Sequence, residues 1–312
     1  MSTDAHVTLL GPQRTPRLGQ VVAALGLSEA RFGTINAGWQ EREPDDELLS
    51  ETLNHNTVNL RLWHRMQQVW ESDPELAQAD LERRRLIEEM QELYLLGLDH
   101  AIRALIELLQ HSPREERVRQ SAITDAETII RDLDRRHLQR IEDAYAEFWQ
   151  RWRPHERDSI ARARQAVARE LADTQAVVLT GGHVGVLLGA LHLFNIAPAL
   201  DVPIIAWGAG AMVLTERVVL FHDRAAHGPA IAEVYGTGLG LVRGTVALPS
   251  PRERLDLGDR DRMAVLARRF APSQGLLLGT GTSVHVGYDG ALPPGATVLL
   301  PDGSTGASGL AS

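Results

Sequence analysis

Residues 48–171 contain almost no glycine and almost no strand signal, yet they separate two stretches in which short apolar runs alternate with helical patterns. Before the break, His6-Val7-Thr8-Leu9-Leu10-Gly11 reads as a strand, residues 18–25 as a helix closed near Gly26, and residues 32–39 as a second strand. Together they make a βαβ opening. Within the break, apolar residues recur every three or four positions, as in Leu60, Trp63, Met66, Trp70 and then Ile87, Met90, Tyr94, Leu98, Ile102. That is the period of helices packed on one face. Asp73-Pro74 reads as an N-cap with proline in the first turn, and Ser112-Pro113-Arg114-Glu115 as a capping box with proline at the first helical position. The stripes are too long for ordinary crossover helices, so the segment predicts an inserted hairpin or small bundle. The expected fold is α/β, a doubly wound and mostly parallel sheet with a large all-helical insertion. Its core is residues 1–50 and 172–312, and its insertion residues 51–171. The insertion reads equally as a lid or dimerisation arm and as a decorated crossover on its own core.

After the break the strands return at Ala176-Val177-Val178-Leu179-Thr180, residues 203–207, 218–221 and 245–248. Further strands are expected at 276–278, 283–286 and 297–300, the last two joined by a turn at Asp289-Gly290 and closing one sheet. The Gly/Ser-rich tail 302–312 reads as frayed.

Composition excludes several chemistries. The chain has 312 residues, a net charge of −9 and no basic tail, which argues against nucleic-acid binding. It has no cysteine, so thiolate nucleophiles, disulfides and Cys-ligated metals are excluded. It has no lysine either; all 32 basic residues are arginine, a pattern read as codon bias, and it removes Schiff-base chemistry and a P-loop lysine. Gly236-x-Gly238-x-Gly240 is a poor dinucleotide fingerprint, so no cofactor is expected. No apolar run is long enough to span a bilayer, and residues 1–8 lack an apolar signal core. The expectation is a cytoplasmic protein, without membrane or nucleic-acid partners, assembling as a homodimer.

Ligands of doubly wound sheets bind where strands end and loops diverge. Two loops fit: Thr180-Gly181-Gly182-His183, and Trp207-Gly208-Ala209-Gly210-Ala211. Both follow strong strands and open helices. The second is a strand running into a sharp small-residue turn, the geometry that presents a catalytic nucleophile, but with glycine at its apex.

These loops, followed by Gly238-Leu239-Gly240-Leu241, resemble the peptidase E and cyanophycinase group, peptidase family S51, of the class I glutamine amidotransferase-like, flavodoxin-like fold. The resemblance covers residues 176–286, and more loosely 1–49. It implies Gly-x-Ser-Ala-Gly-Ala at the elbow, and Gly208 stands where the serine would be. It implies a histidine where Ser250 is the nearest match, and a carboxylate where the chain reads Gly279-Thr280-Gly281-Thr282. All three catalytic positions are vacated, which makes the chain a pseudoenzyme of that group, binding a small molecule or peptide end at the elbow pocket.

The candidate ligand contacts are Gly181, Gly182, His183, Trp207, Gly208, Ala209, His222, Asp223, His227 and Glu233. No metal is expected, because the spacing of His222, Asp223 and His227 matches no standard ligand motif and reads more simply as a hydrogen-bonded loop. His183 is the best single contact, although a lone histidine is more often a structural hydrogen-bond partner. Two alternatives stay open. One is a hydrolase with catalysis relocated to His183, His222, Asp223 and His227. The other is a structural protein acting through its insertion.

Overall fold

The computed structural model describes residues 6–13, 17–221 and 231–309. The first half of the sheet comes from β1 (Val7–Leu10), α1 (Leu18–Ala24), β2 (Phe32–Ile35), α2 (Glu47–Thr52) and β3 (Thr57–Asn59). A long helical passage follows: α3 (Leu62–Ser72), α4 (Pro74–Gln110), α5 (Glu116–Trp152) and α6 (Asp158–Ala172). The chain then re-enters the sheet through β4 (Ala176–Leu179), α7 (Val184–Leu193), β5 (Ile204–Trp207) and α8 (Ala209–Val213). The remainder is β6 (Arg217–Leu220), β7 (Glu233–Thr237), β8 (Thr245–Pro249), α9 (Pro251–Arg254), α10 (Arg260–Phe270), β9 (Gln274–Leu278), β10 (Ser283–Val286), β11 (Thr297–Leu299) and β12 (Thr305–Ala307).

The chain is mixed α/β with a mostly parallel central sheet. Its order is β10-β1-β5-β4-β2-β3, in which five strands are parallel and β10 alone runs antiparallel, against β1. Counted from β2, the four strands β3-β2-β4-β5 stand in the order 2-1-3-4, and β1 takes the fifth place. Every side chain of β1, β2 and β4 is buried, as expected of strands covered on both faces. Alternate residues divide between the faces. Leu10, Phe32, Val178 and Ile205 pack with Leu18 and Val22 of α1 and Leu49 of α2. Leu9, Ile35, Val177, Leu179 and Ala206 belong to the larger cluster with α3, α6 and α7.

The helical passage shares that larger cluster. Tyr94, Leu98, Leu105, Ile130 and Phe148 are continuous with the sheet's core. Helices α4 and α5 have 37 residues each and form an antiparallel hairpin about 55 Å long at 1.5 Å rise per residue. Asp73 caps α4, accepting from Leu76 N at 3.0 Å, and also takes Arg157 at 2.7 Å. A buried polar knot pins the hairpin: Arg269 of α10 reaches Asp134 of α5 and Tyr94 of α4, and donates to Ala232 O. Helix α3 begins over Glu43, whose fully buried carboxylate accepts from Trp63 N, His64 N and His64 Nδ1 at 2.9–3.1 Å.

Several sequence expectations need correction. Segment 48–171 does contain a strand, since β3 lies parallel to β2. The second strand stops at Ile35 because Asn36 leaves extended geometry (φ −112°, ψ 14°), and a 3-10 segment, Ala37–Arg42, follows. Helix α5 begins at Glu116, and Ser112 caps nothing. The turn is held by Arg119, which donates to Leu109 O and His111 O. The strands around Asp289-Gly290 are not partners: β10 joins β1, while β11 joins β9 in a second sheet of order β12-β11-β9-β8. Residues 302–309 of the tail are tied down through β12 and by Ser308 Oγ, which accepts from Ala296 N and donates to Pro293 O, and 310–312 lie outside the described residues.

Candidate functional site

The C-terminal ends of β4 and β5 lie side by side, and both turns predicted to face a ligand close tightly on their neighbours. Gly208 has φ 56° and ψ −126°, a conformation open to glycine and strained for any other residue. The elbow geometry is therefore present, without a side chain. The turn is also tight against its neighbour: a β-carbon at residue 208 would stand 3.1 Å from Gly181 Cα. On the other side of the β4 turn, Gly182 (φ 119°) lies against Gly38, whose carbonyl accepts from His183 N at 2.7 Å. Trp207 packs with the α1 and α2 cluster, away from the helical passage.

His183 is the N-cap of α7. Its Nδ1 accepts from Val186 N at 3.2 Å, which fixes the Nε2–H tautomer. The structural reading of this histidine is realised, and its ring still borders open space. A cleft of about 470 Å³ lies between α7 and the helical passage. His183, Gly185 and His192 line one side, and Trp63, Met66 and Trp70 of α3, Arg83 and Ile87 of α4, and Tyr145, Phe148 and Trp149 of α5 line the other. Tyr235 of β7 borders it too, its hydroxyl standing 2.1 Å from where a β-carbon on Gly185 would be. The size matches a small-molecule site, and the wall mixes aromatic side chains with polar ones, Gln40, Gln67, Asp80, Arg84, Glu88 and Gln91 among them. The helical passage thus covers a pocket rather than pointing away. Trp207, Gly208 and Ala209 do not line it.

The cleft's polar groups are shaped by burial. Burial lowers the His192 pKa, and Arg83 lowers it further, so the ring is neutral at pH 7. Burial raises the Tyr235 pKa and keeps its hydroxyl protonated. Arg83 has a side chain only 10 % exposed, with its guanidinium 4.1 Å from the Tyr145 ring centroid. Its Nη2 donates to Asp80, while Nε and Nη1 have no partner in the protein. Gln40, also on the lining, has φ 57° and ψ −124°, the geometry of Gly208 in a residue that carries a β-carbon. Such strain costs on the order of 1–3 kcal/mol and concentrates at functional sites.

The remaining sequence candidates lie elsewhere. Ser250 follows β8 and precedes α9, its N–H donating to Leu278 O, and Thr280 lies in the turn after β9. No hydrogen bond among the described residues joins either to the elbow. Glu233 opens β7 and accepts from Gln91 at 2.8 Å, as part of the attachment of α4. Burial raises its pKa. His222, Asp223 and His227 lie outside the described residues. Among the described residues, no three His, Asp or Glu side chains converge as metal ligands would. None of the described helices is long and apolar enough to cross a membrane.

No protein-family model matches the chain, and no curated protein sequence matches it. Sequence reasoning named His183 and missed the rest of the cleft. Arg83 and Gln40 carry no local signal; the stripe Trp63, Met66, Trp70 was visible, and its period fits a core helix as well as a pocket wall.

Proposed function

We propose that the chain is a non-catalytic binding protein built on a class I glutamine amidotransferase-like scaffold and related to the peptidase E and cyanophycinase group. It holds a small organic molecule, or a peptide end, in the cleft between α7 and the helical passage. The strand order supports the scaffold. Four strands in the order 2-1-3-4 with a fifth beside them match a flavodoxin-type sheet in which the N-terminal strand fills the last place. The strand–turn–helix at Gly208 supports the relationship, because it keeps a nucleophile's backbone with nothing to attack a carbonyl.

The observation that carries the reading is the cleft itself, about 470 Å³ in volume and walled by three tryptophans. The ligand site has moved off the elbow, and the inserted helices form its wall. Intact-mass analysis after fluorophosphonate treatment tests the first half; no adduct is expected, and a stoichiometric adduct refutes the non-catalytic reading. Tryptophan fluorescence during titration with a set of small acids and amides tests the second half. Saturable quenching is expected, and its complete absence refutes a ligand cleft.

A second reading, assembly as a homodimer, is favoured by exposed Leu86, Leu93 and Leu96 on α4. Analytical ultracentrifugation decides it: a monomer at 100 µM, on the order of a weak interface's dissociation constant, removes it.

A further inference from the structure

We infer that two copies of the chain pair through the outer faces of their α4–α5 hairpins, each α4 lying along the partner's α5 in an all-antiparallel four-helix bundle. This rests on the homodimer reading and supplies its surface and its arrangement.

Both helices carry an apolar stripe on the side turned away from the body of the protein. On α4, Leu86, Leu93 and Gly97 are exposed in one line, with half-buried Met90 between them. On α5, Val118 and Ile129 are exposed, and half-buried Leu133 continues their line. The inward side is marked by Gln91, which reaches Glu233 of β7, and by Arg131, which reaches Arg268 O of α10. Leu93 and Ile129 each stand two residues from these, a rotation of about 200° that puts them on the opposite side. A β-carbon on Gly97 would meet nothing within 4 Å, so nothing within the chain calls for a poor helix former there. Close approach of a second helix does.

Charge selects the occupant as a second copy. Contacts across the hairpin fix its register: Arg83 stacks on Tyr145, Gln91 bonds His137, Tyr94 bonds Asp134 and Arg119 bonds Leu109 O. On the outer flanks the same register sets Arg85 level with Asp143, Glu92 with Arg136, and Arg103 with Asp125, all exposed. A two-fold axis running along the hairpin lays each α4 on the partner's α5 with levels unchanged, so each of these acids faces an arginine of the other copy. No two like charges share a level between residues 85 and 107. An axis set across the hairpin would lay α4 on α4 and break these pairs. Arg103 and Arg136 also hold Asp99 and Asp132 on their own helices, and a guanidinium has donors enough for two carboxylates.

The area fits as well. From Arg85 to Glu107 the face is about 33 Å long and about 20 Å wide across the two helices, on the order of 700 Å². A stable pair buries about 800 Å² on each partner.

The test is sedimentation equilibrium of the full chain and its variants. The unaltered protein is expected to be a dimer at about 100 µM. Leu93→Glu is expected to weaken the dimer at least about a hundredfold, because the charge enters the interface once from each copy. Leu93 is exposed in the single chain, so the thermal unfolding of this variant at dilution should match the parent's. Glu92→Arg and Arg136→Glu are each expected to weaken the dimer about tenfold, and the two together to return it to within about threefold of the parent. A monomer at about 100 µM overturns this inference and the homodimer reading together. A dimer that Leu93→Glu leaves intact overturns the inference alone, since pairing then uses another surface. A dimer that the combined charge reversal fails to restore overturns it too, since α4 does not then lie on the partner's α5. Should Leu93→Glu fail to fold, the charge-reversal pair decides alone.

Discussion

Arg269 and Asp134, which are 135 residues apart in the chain, meet as a buried pair in which Nε and Nη2 each donate to a different carboxylate oxygen at 2.7 Å. Tyr94 joins them, donating to Asp134 and accepting from Arg269 Nη2 at 2.8 Å. Burial pushes the Tyr94 pKa well above the ordinary phenol value, so the hydroxyl remains a donor. This knot binds α4 and α5 to α10. Asp134→Ala leaves a buried guanidinium uncompensated and should cost about 3–5 kcal/mol. Urea unfolding checks it, and a loss under about 1 kcal/mol would mean that apolar packing alone holds the hairpin.

His137 should make the protein acid-sensitive. Its ring is stacked on Tyr94 with centroids 4.0 Å apart and hydrogen-bonds Gln91 at 2.6 Å. Burial lowers its pKa from 6.5 to about 4, with Arg140 adding to the shift and Asp134 opposing it. The unfolded chain therefore takes up this proton first as pH falls. The stability conferred by the neutral ring is whole above pH 6.5 and is lost progressively down to about pH 4. The loss is on the order of 2–3 kcal/mol. Comparing unfolding midpoints at pH 7 and pH 4.5 for the parent and His137→Gln isolates the contribution. A pH dependence unchanged in the variant would contradict this account.

Gly208→Ser should not restore covalent chemistry. The new β-carbon would meet Gly181 Cα at 3.1 Å and would adopt φ 56°, so a stability loss of about 1–3 kcal/mol is expected. His183, the imidazole in the neighbouring turn, already uses Nδ1 to cap α7. Fluorophosphonate labelling of the variant should stay at the parent's level, and clear labelling would reveal a general base beside the elbow.

Glu43→Gln should loosen the start of α3. The carboxylate accepts from two backbone N–H groups at 3.0–3.1 Å and from His64 at 2.9 Å, while an amide offers a single acceptor oxygen. The expected cost is about 1–3 kcal/mol, with faster amide exchange at Trp63 and His64. Unchanged exchange there would remove Glu43 as the cap.

What the sequence disclosed follows the range of the forces involved. Local chemistry was legible: the Asp73 cap, the apolar β4 and the glycine elbow each declare themselves within a few residues. β3 was hidden because Thr57-Val58-Asn59 is short and half-buried, with no alternation to read. The pair Arg269–Asp134 has no local signature, since neither residue differs in context from its many charged neighbours. Arg83 was harder still, one arginine among 32 basic residues in a chain without lysine. Its meaning comes only from the stacking ring of Tyr145, 62 positions away on another helix.

The most direct test of the account is crystallography of the protein soaked with small aromatic acids. The account predicts ordered density between α7 and the α4–α5 hairpin, with no covalent link to the chain. Density collecting instead at the turn around Gly208, or bonded to a side chain there, would contradict it.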